Sequence, residues 1–389
     1  MPQTGRDLRI DLFRGLALVF IFWDHIPGNP LGQVTPRNVG LSDAAEIFVF
    51  LAGYAAVLAY GKLLRRDGYL VACLRILRRV WVLYVAHIFL LAVLMGIVFF
   101  TNNHVEQKDF VGAMGLDYFL AHPQQAVTDE LLLRFKPNLM DPLPLYIVLL
   151  MALPVILPLL LRAPLLTVAL SSVIYLLAPL PQMNFAGPQG SEWFFNPLAW
   201  QLLFVLGGAA ALHAQQRPAD APEPRASSPL FITCAVYLVV TGLLALSWKW
   251  PQLHDTWMPE AVKAVIYPID KTDLSPLRLL HFLALAYCVA VLLPKGDWLE
   301  RWPAREMCRM GRYSLEVFCL GVLLAPLADA GNALLQDRWP AQIGTALLGL
   351  LLMMALAGWL DFIKRVGERK VERQQAIPKS SLKLRPSPA

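Results

Sequence analysis

Residues 80–100 read VWVLYVAHIFLLAVLMGIVFF, an apolar run of 21 residues. A hydrocarbon core about 30 Å thick takes roughly 17–25 residues of helix, so the run is long enough to cross it. Just before it stand Lys62, Arg65, Arg66, Arg75, Arg78 and Arg79. Basic residues collect on the cytoplasmic side of a membrane, so this span leads from inside to outside.

The same reading extends along the chain. Of its 389 residues 57% are hydrophobic and only 16% charged, with a mean hydropathy of +0.51. A soluble chain carries roughly a quarter charged residues. Apolar runs predict an all-α, polytopic membrane protein of about ten spans: Leu12–Ile26, Ala44–Leu64, Val80–Phe100, Leu143–Leu161, Pro164–Pro179, Leu198–Leu212, Pro229–Leu246, Leu279–Leu293, Tyr313–Ala330 and Ile343–Ile363. With the N-terminus inside, 25 of the 34 Lys and Arg fall on the cytoplasmic side, which places both termini there. The first apolar run starts at Leu12 with no small-residue cleavage site after it, so it is expected to stay as a helix.

One membrane domain covers residues 1–363, and a basic tail, 364–389, reads as a disordered arm near anionic headgroups. Gln216–Pro229 reads as a flexible inner loop, and Arg65–Arg79 is the basic inner connection between the second and third spans. Two longer outer segments, Asn102–Pro142 and Ser247–Arg278, have the composition of a shaped surface. The five cysteines show neither ligand spacing nor a paired framework, and none is placed outside, so no disulfide is expected. No zinc, phosphate-loop, nucleophile-elbow or dinucleotide signature occurs, so no bound metal or cofactor is called for. The net charge of +6 lies mostly on the inner side, where membrane lipid, not nucleic acid, is the partner expected.

Ionisable groups within a bilayer are costly and mark function. The first span carries Arg9, Asp11 and Arg14 at its inner end, then Asp24 and His25 before Pro27. Arg14 and His25 share one helix face about 16 Å apart, comparable to the reach of a pantetheine arm. Plainer readings stand beside this: Asp11 and Arg14 neutralise each other at i, i+3, and His25 meets its helix C-terminus. Asp43 with Glu46 fits a capping box, although either carboxylate could also orient His25. The inner cluster of Arg75, Arg78 and Arg79 is either a donor-phosphate site or a topology signal. Outer aromatics (Trp193, Phe194, Phe195, Trp200, Trp248, Trp250, Trp257) suit a saccharide platform or an interfacial belt. Lys271, Arg278 and His281, with Asn196, are candidate acceptor contacts, and an ion pair with Asp273 is the structural alternative.

RDLRIDLFRGLALVFIFWDHIPGNP and RNVGLSDAAEIFVFLAGY, with MDPLPLYIVLL, WFFNPLAWQLLFVLG, DKTDLSPLRLLHFLALAY and MGRYSLEVFCLG, resemble the OpgC family, named for succinylation of osmoregulated periplasmic glucans. The resemblance runs from about Arg6 to the tenth span. It extends to the acyltransferase-3 group, whose basic residue and His on the first helix fall on Arg14 and His25. It implies a bacterial inner-membrane O-acyltransferase taking an acyl group from cytoplasmic acyl-CoA, with succinyl-CoA a candidate, to a hydroxyl of a periplasmic glucan or other envelope glycan. His25 would be the base, with Asp24 and Glu46 beside it. Donor contacts would be Arg14, Arg75, Arg78 and Arg79; acceptor contacts would be Trp193, Asn196, Trp200, Lys271, Arg278 and His281. A glycan or acyl-carrier transporter is the competing class, and a nonenzymatic assembly subunit a third. Transporters often show inverted repeats and paired broken helices, neither of which is visible here.

Overall fold

The computed structural model describes residues 7–218 and 225–375. Its helices are α1 (Leu8–Asp24), α2 (Ala44–Asp67), α3 (Tyr69–His104), α4 (Pro142–Arg162), α5 (Pro164–Leu177), α6 (Pro197–Gln216), α7 (Pro229–Ser247), α8 (Pro276–Leu292), α9 (Ala304–Arg312), α10 (Ser314–Leu334) and α11 (Trp339–Gln375), with shorter helices between them. No strand occurs among the described residues; Ala186 and Glu192 form one isolated bridge. Among the described residues, seven helices (α2, α3, α4, α6, α7, α10 and α11) are long and apolar enough to cross a membrane. The other three expected spans fall on α1, α5 and α8, which have 17, 14 and 17 residues.

The helix starts follow from sequence. Pro142, Pro164, Pro197, Pro229 and Pro276 each open a helix, where a missing N–H costs nothing. Asp7 caps α1 by accepting from the amide of Arg9. The capping box at Asp43 and Glu46 is present and fixes the start of α2.

The inner connection Arg65–Arg79 is almost entirely helical. Only Gly68, at φ +86°, separates α2 from α3, a left-handed conformation that glycine adopts without a Cβ clash. The 36 residues of α3 rise about 54 Å, well beyond the hydrocarbon core, so its basic first turns continue the helix outside it. Likewise α11 runs on to Gln375, so the first residues of the predicted disordered tail are helical. The rest of that tail, and residues 219–224 of the predicted flexible loop, lie outside the described residues.

Helix α1 is wedged between α9 and α10. At its crossing with α9, a Cβ on Gly15 would strike the carbonyl of Met307, and one on Gly311 that of Asp11. Small residues let membrane helices approach backbone to backbone. The basic end of the bundle is tied by ion pairs of Arg309, Arg312 and Arg365 with the buried Asp361. At the opposite end, the 102–142 segment folds into short helices, one of which (Pro123–Leu131) brings Glu130 to His87 at 3.0 Å. Both residues are buried.

Candidate functional site

The end of the bundle opposite the basic one opens into a cavity of about 1010 Å³. Its wall draws on the end of α1 (Asp24, His25), the short helix Pro36–Val39 (Arg37), Asp43, the 102–142 segment (Lys136, Asp141), Phe194 and the stretch before α8 (Lys271). A narrower chamber of about 80 Å³ continues from it, lined by Asp24, His25, Arg37, Asp43, Asp141, Lys271 and the rings of Phe194 and Phe195. A still tighter apolar seam runs between α1, α10 and α11, along Leu18, Phe22, Val317, Gly321 and Met353, and it too ends on His25. His25 therefore stands where all three meet.

His25 is the C-terminal cap residue of α1, and its Nδ1 lies 2.5 Å from the carbonyl oxygen of Ile21. A carbonyl only accepts, so Nδ1 carries the proton and donates it there. The neutral ring then keeps its lone pair on Nε2. The helix-end reading of His25 holds for Nδ1, while Nε2 makes no hydrogen bond among the described residues. Asp24 does not orient this ring; its Oδ1 accepts instead from the Thr35 hydroxyl at 2.5 Å.

Along this wall, charges are matched. Lys271 sits 2.6 Å from Asp43, and Arg278 lies 3.2 Å from Asp43 and 2.6 Å from Glu46. Burial works against the charge of Asp43, but Lys271 and then Arg278 outweigh it and hold the carboxyl well below its usual range. Across the cavity, burial pushes Asp141 up to about 6 despite Lys136 nearby, and brings Lys136 down to about 8 despite Asp141 and Glu130. The Lys136 ammonium rests 3.9 Å from the centre of the Trp193 ring.

Of the sequence-derived candidates, the cavity brings together His25, Asp24, Lys271 and Arg278. Glu46 is not on its wall: fully buried, it spends one oxygen on the Asp43 amide and the other on Arg278. Trp200 offers no sugar platform, because its buried indole donates to the carbonyls of Lys271 and Thr272 and shapes that loop. Trp193 is buried under Lys136, and the exposed ring at the cavity is Phe194. Asn196, also buried, caps α6 and donates to Asp273; among the described residues Asp273 makes no ion pair, and Arg278 pairs with Asp43 and Glu46. His281 is buried behind the wall against the Ser42 hydroxyl, at 2.7 Å.

Arg14 lies toward the basic end, its Nη2 2.9 Å from the Ser314 hydroxyl of α10. His25, eleven residues further along α1, shares the lining of the apolar seam with Val317 and Gly321 of α10. Arg75 and Arg78 are exposed and Arg79 half-buried on the first turns of α3; none lines the cavity. Arg37, Lys136 and Asp141 were missed. A usable signal existed for the two cations, since the expected topology leaves only nine of the 34 Lys and Arg on its outer side and each needs a reason to be there.

Comparison with curated proteins and with solved structures finds no match. The family model described as OpgC protein matches residues 6–365, from the cap of α1 into the last turns of α11, and includes every residue of the cavity wall. On that coverage, the chain is a member of the OpgC protein family.

Proposed function

We propose that this membrane protein is an O-acyltransferase of a bacterial inner membrane. It moves an acyl group, with succinyl the first candidate, from cytoplasmic acyl-CoA to a hydroxyl of a periplasmic glucan or another envelope glycan. In this reading the basic end faces the cytoplasm, the cavity faces the periplasm, and ten helices cross, all of those named above except α9. The observation that carries it is His25, with Nδ1 committed to its own helix and Nε2 available, at the junction of the cavity and the apolar seam. Family membership supports a transferase.

The chemistry follows from that position. A sugar hydroxyl entering the cavity gives its proton to Nε2 as its oxygen attacks the thioester carbonyl. The C–O bond forms, the carbonyl pair moves onto oxygen, and collapse expels the coenzyme thiolate, which takes the proton back from the imidazolium. The thioester arrives along the seam between α1 and α10, with Arg14 at its cytoplasmic side placed for phosphate. Arg75, Arg78 and Arg79 are proposed as further contacts for the nucleotide.

The test joins chemistry in cells to one variant. Envelope glycans from cells with and without the protein should differ by the mass of an acyl substituent. Purified His25→Ala should lose about 10²–10⁴-fold in transfer rate while binding acyl-CoA normally. Normal turnover in that variant removes the base. A glycan of unchanged mass but altered location would indicate transport instead.

A further inference from the structure

Attack on a thioester places negative charge on the former carbonyl oxygen, and a site with a base alone leaves that charge uncompensated. The lower chamber, which includes His25, holds two cations, Lys271 and Arg37. Lys271 is committed to Asp43 at 2.6 Å. In the wider cavity Arg278 is committed to Asp43 and Glu46, Arg134 lies 4.0 Å from Asp129, and Lys136 lies against the Trp193 ring and the carbonyls of Leu133 and Arg134. Arg37 is different. Its Nη1 donates to the backbone carbonyl of Asp24 at 3.2 Å, and among the described residues it makes no ion pair.

That one bond ties it to the residue preceding His25, and its segment is pinned to the same helix end. Asn29 donates to the Trp23 carbonyl, Thr35 to Asp24, and Asn38 to the Gly32 carbonyl. The guanidinium is therefore tied to the residue before the base and lines the same chamber as His25, with its remaining N–H groups making no hydrogen bond among the described residues. We propose that Arg37 is a catalytic residue that stabilises the oxyanion of the tetrahedral intermediate formed next to His25. This assignment rests on the acyltransferase reading. The guanidinium donates to the oxyanion while Nε2 of His25 holds the hydroxyl proton, and both roles end when the carbonyl re-forms and the thiol leaves.

The experiment uses the full-length protein in lipid nanodiscs, with acetyl-CoA and succinyl-CoA as donors and a soluble glucan oligosaccharide as acceptor. Arg37→Gln should lower kcat about 10²–10³-fold with both donors, the loss expected for one oxyanion donor, while KM for each stays within about threefold. Arg37→Lys should also lower kcat at least about tenfold, because an ammonium lacks the planar fork that holds Asp24 and the oxyanion together. Added guanidinium should restore part of the rate of Arg37→Ala. Unchanged kcat in folded Arg37→Gln overturns the assignment and leaves the acyltransferase reading standing. A rise in KM confined to succinyl-CoA also overturns it, making Arg37 a reader of the donor carboxylate. No transfer by the unsubstituted protein from either donor would remove the underlying reading as well.

Discussion

At the scale of single residues, the cavity is governed by which groups still have chemistry to spare. Glu46, Arg278 and Trp200 are fully engaged with neighbours, whereas His25 and Arg37 each spend part of their hydrogen-bonding capacity on backbone carbonyls of α1. Asp141 and Lys136 add a pH dependence. With Asp141 raised to about 6 and Lys136 lowered to about 8, both are charged between those values. A carboxylate accepts sugar hydroxyls better than a carboxylic acid does. The KM for acceptor should therefore rise as pH falls below about 6, and Asp141→Asn should abolish that acid limb. An acid limb that persists in the variant would assign it to another group. Stability gives an independent check. Because the folded value lies above the ordinary 3.8, Asp141 favours folding at low pH and loses that contribution as pH rises through about 6. Asp141→Asn should then raise Tm more at pH 7 than at pH 4. Sequence reading reached His25 because an imidazole beside a helix-ending proline in a membrane is conspicuous. It did not reach Asp141, since an Asp before a proline-initiated helix looks the same whether it caps or binds.

At the scale of elements, the pairing of α2 with α8 builds the wall. Asp43 and Glu46 at the start of α2 meet Lys271, in the stretch before α8, and Arg278, in its first turn. Removing one partner of a buried pair strands the other, at a cost of about 3–5 kcal/mol, whereas replacing both by apolar groups is often near neutral. Arg278→Met should accordingly lower the Tm of purified protein by several degrees, and Glu46→Leu with Arg278→Met should recover most of it. Additive losses in the double variant would mean the two do not act as a pair. The apolar runs made the helices themselves legible, and capping chemistry made the start of α2 legible. The partners across elements were not legible, because a charge at a helix start suits solvent, a cap or a distant counter-ion equally well. Trp193 and Trp200 misled for the same reason: aromatic composition marks the region, while only packing tells which ring faces the cavity.

At the scale of the whole molecule, the uneven distribution of Lys and Arg makes a topology prediction. Reporter fusions after Gln375 should be active only in the cytoplasmic format; strong activity from a periplasm-only reporter would remove the ten-span arrangement. The charge matching between α2 and α8 has a consequence for how the protein is made. Glu46 leaves the ribosome 232 residues before Arg278, the cation that neutralises it. At about 5–20 residues per second this is a delay on the order of 10–50 s. Throughout that interval the second helix must wait in or beside the insertion machinery with an acidic side chain still seeking its counter-charge. The cavity is thus a late product of biosynthesis, closed only when the eighth helix arrives, and a nascent chain stalled before Arg278 would display an inserted second helix beside an unfinished wall.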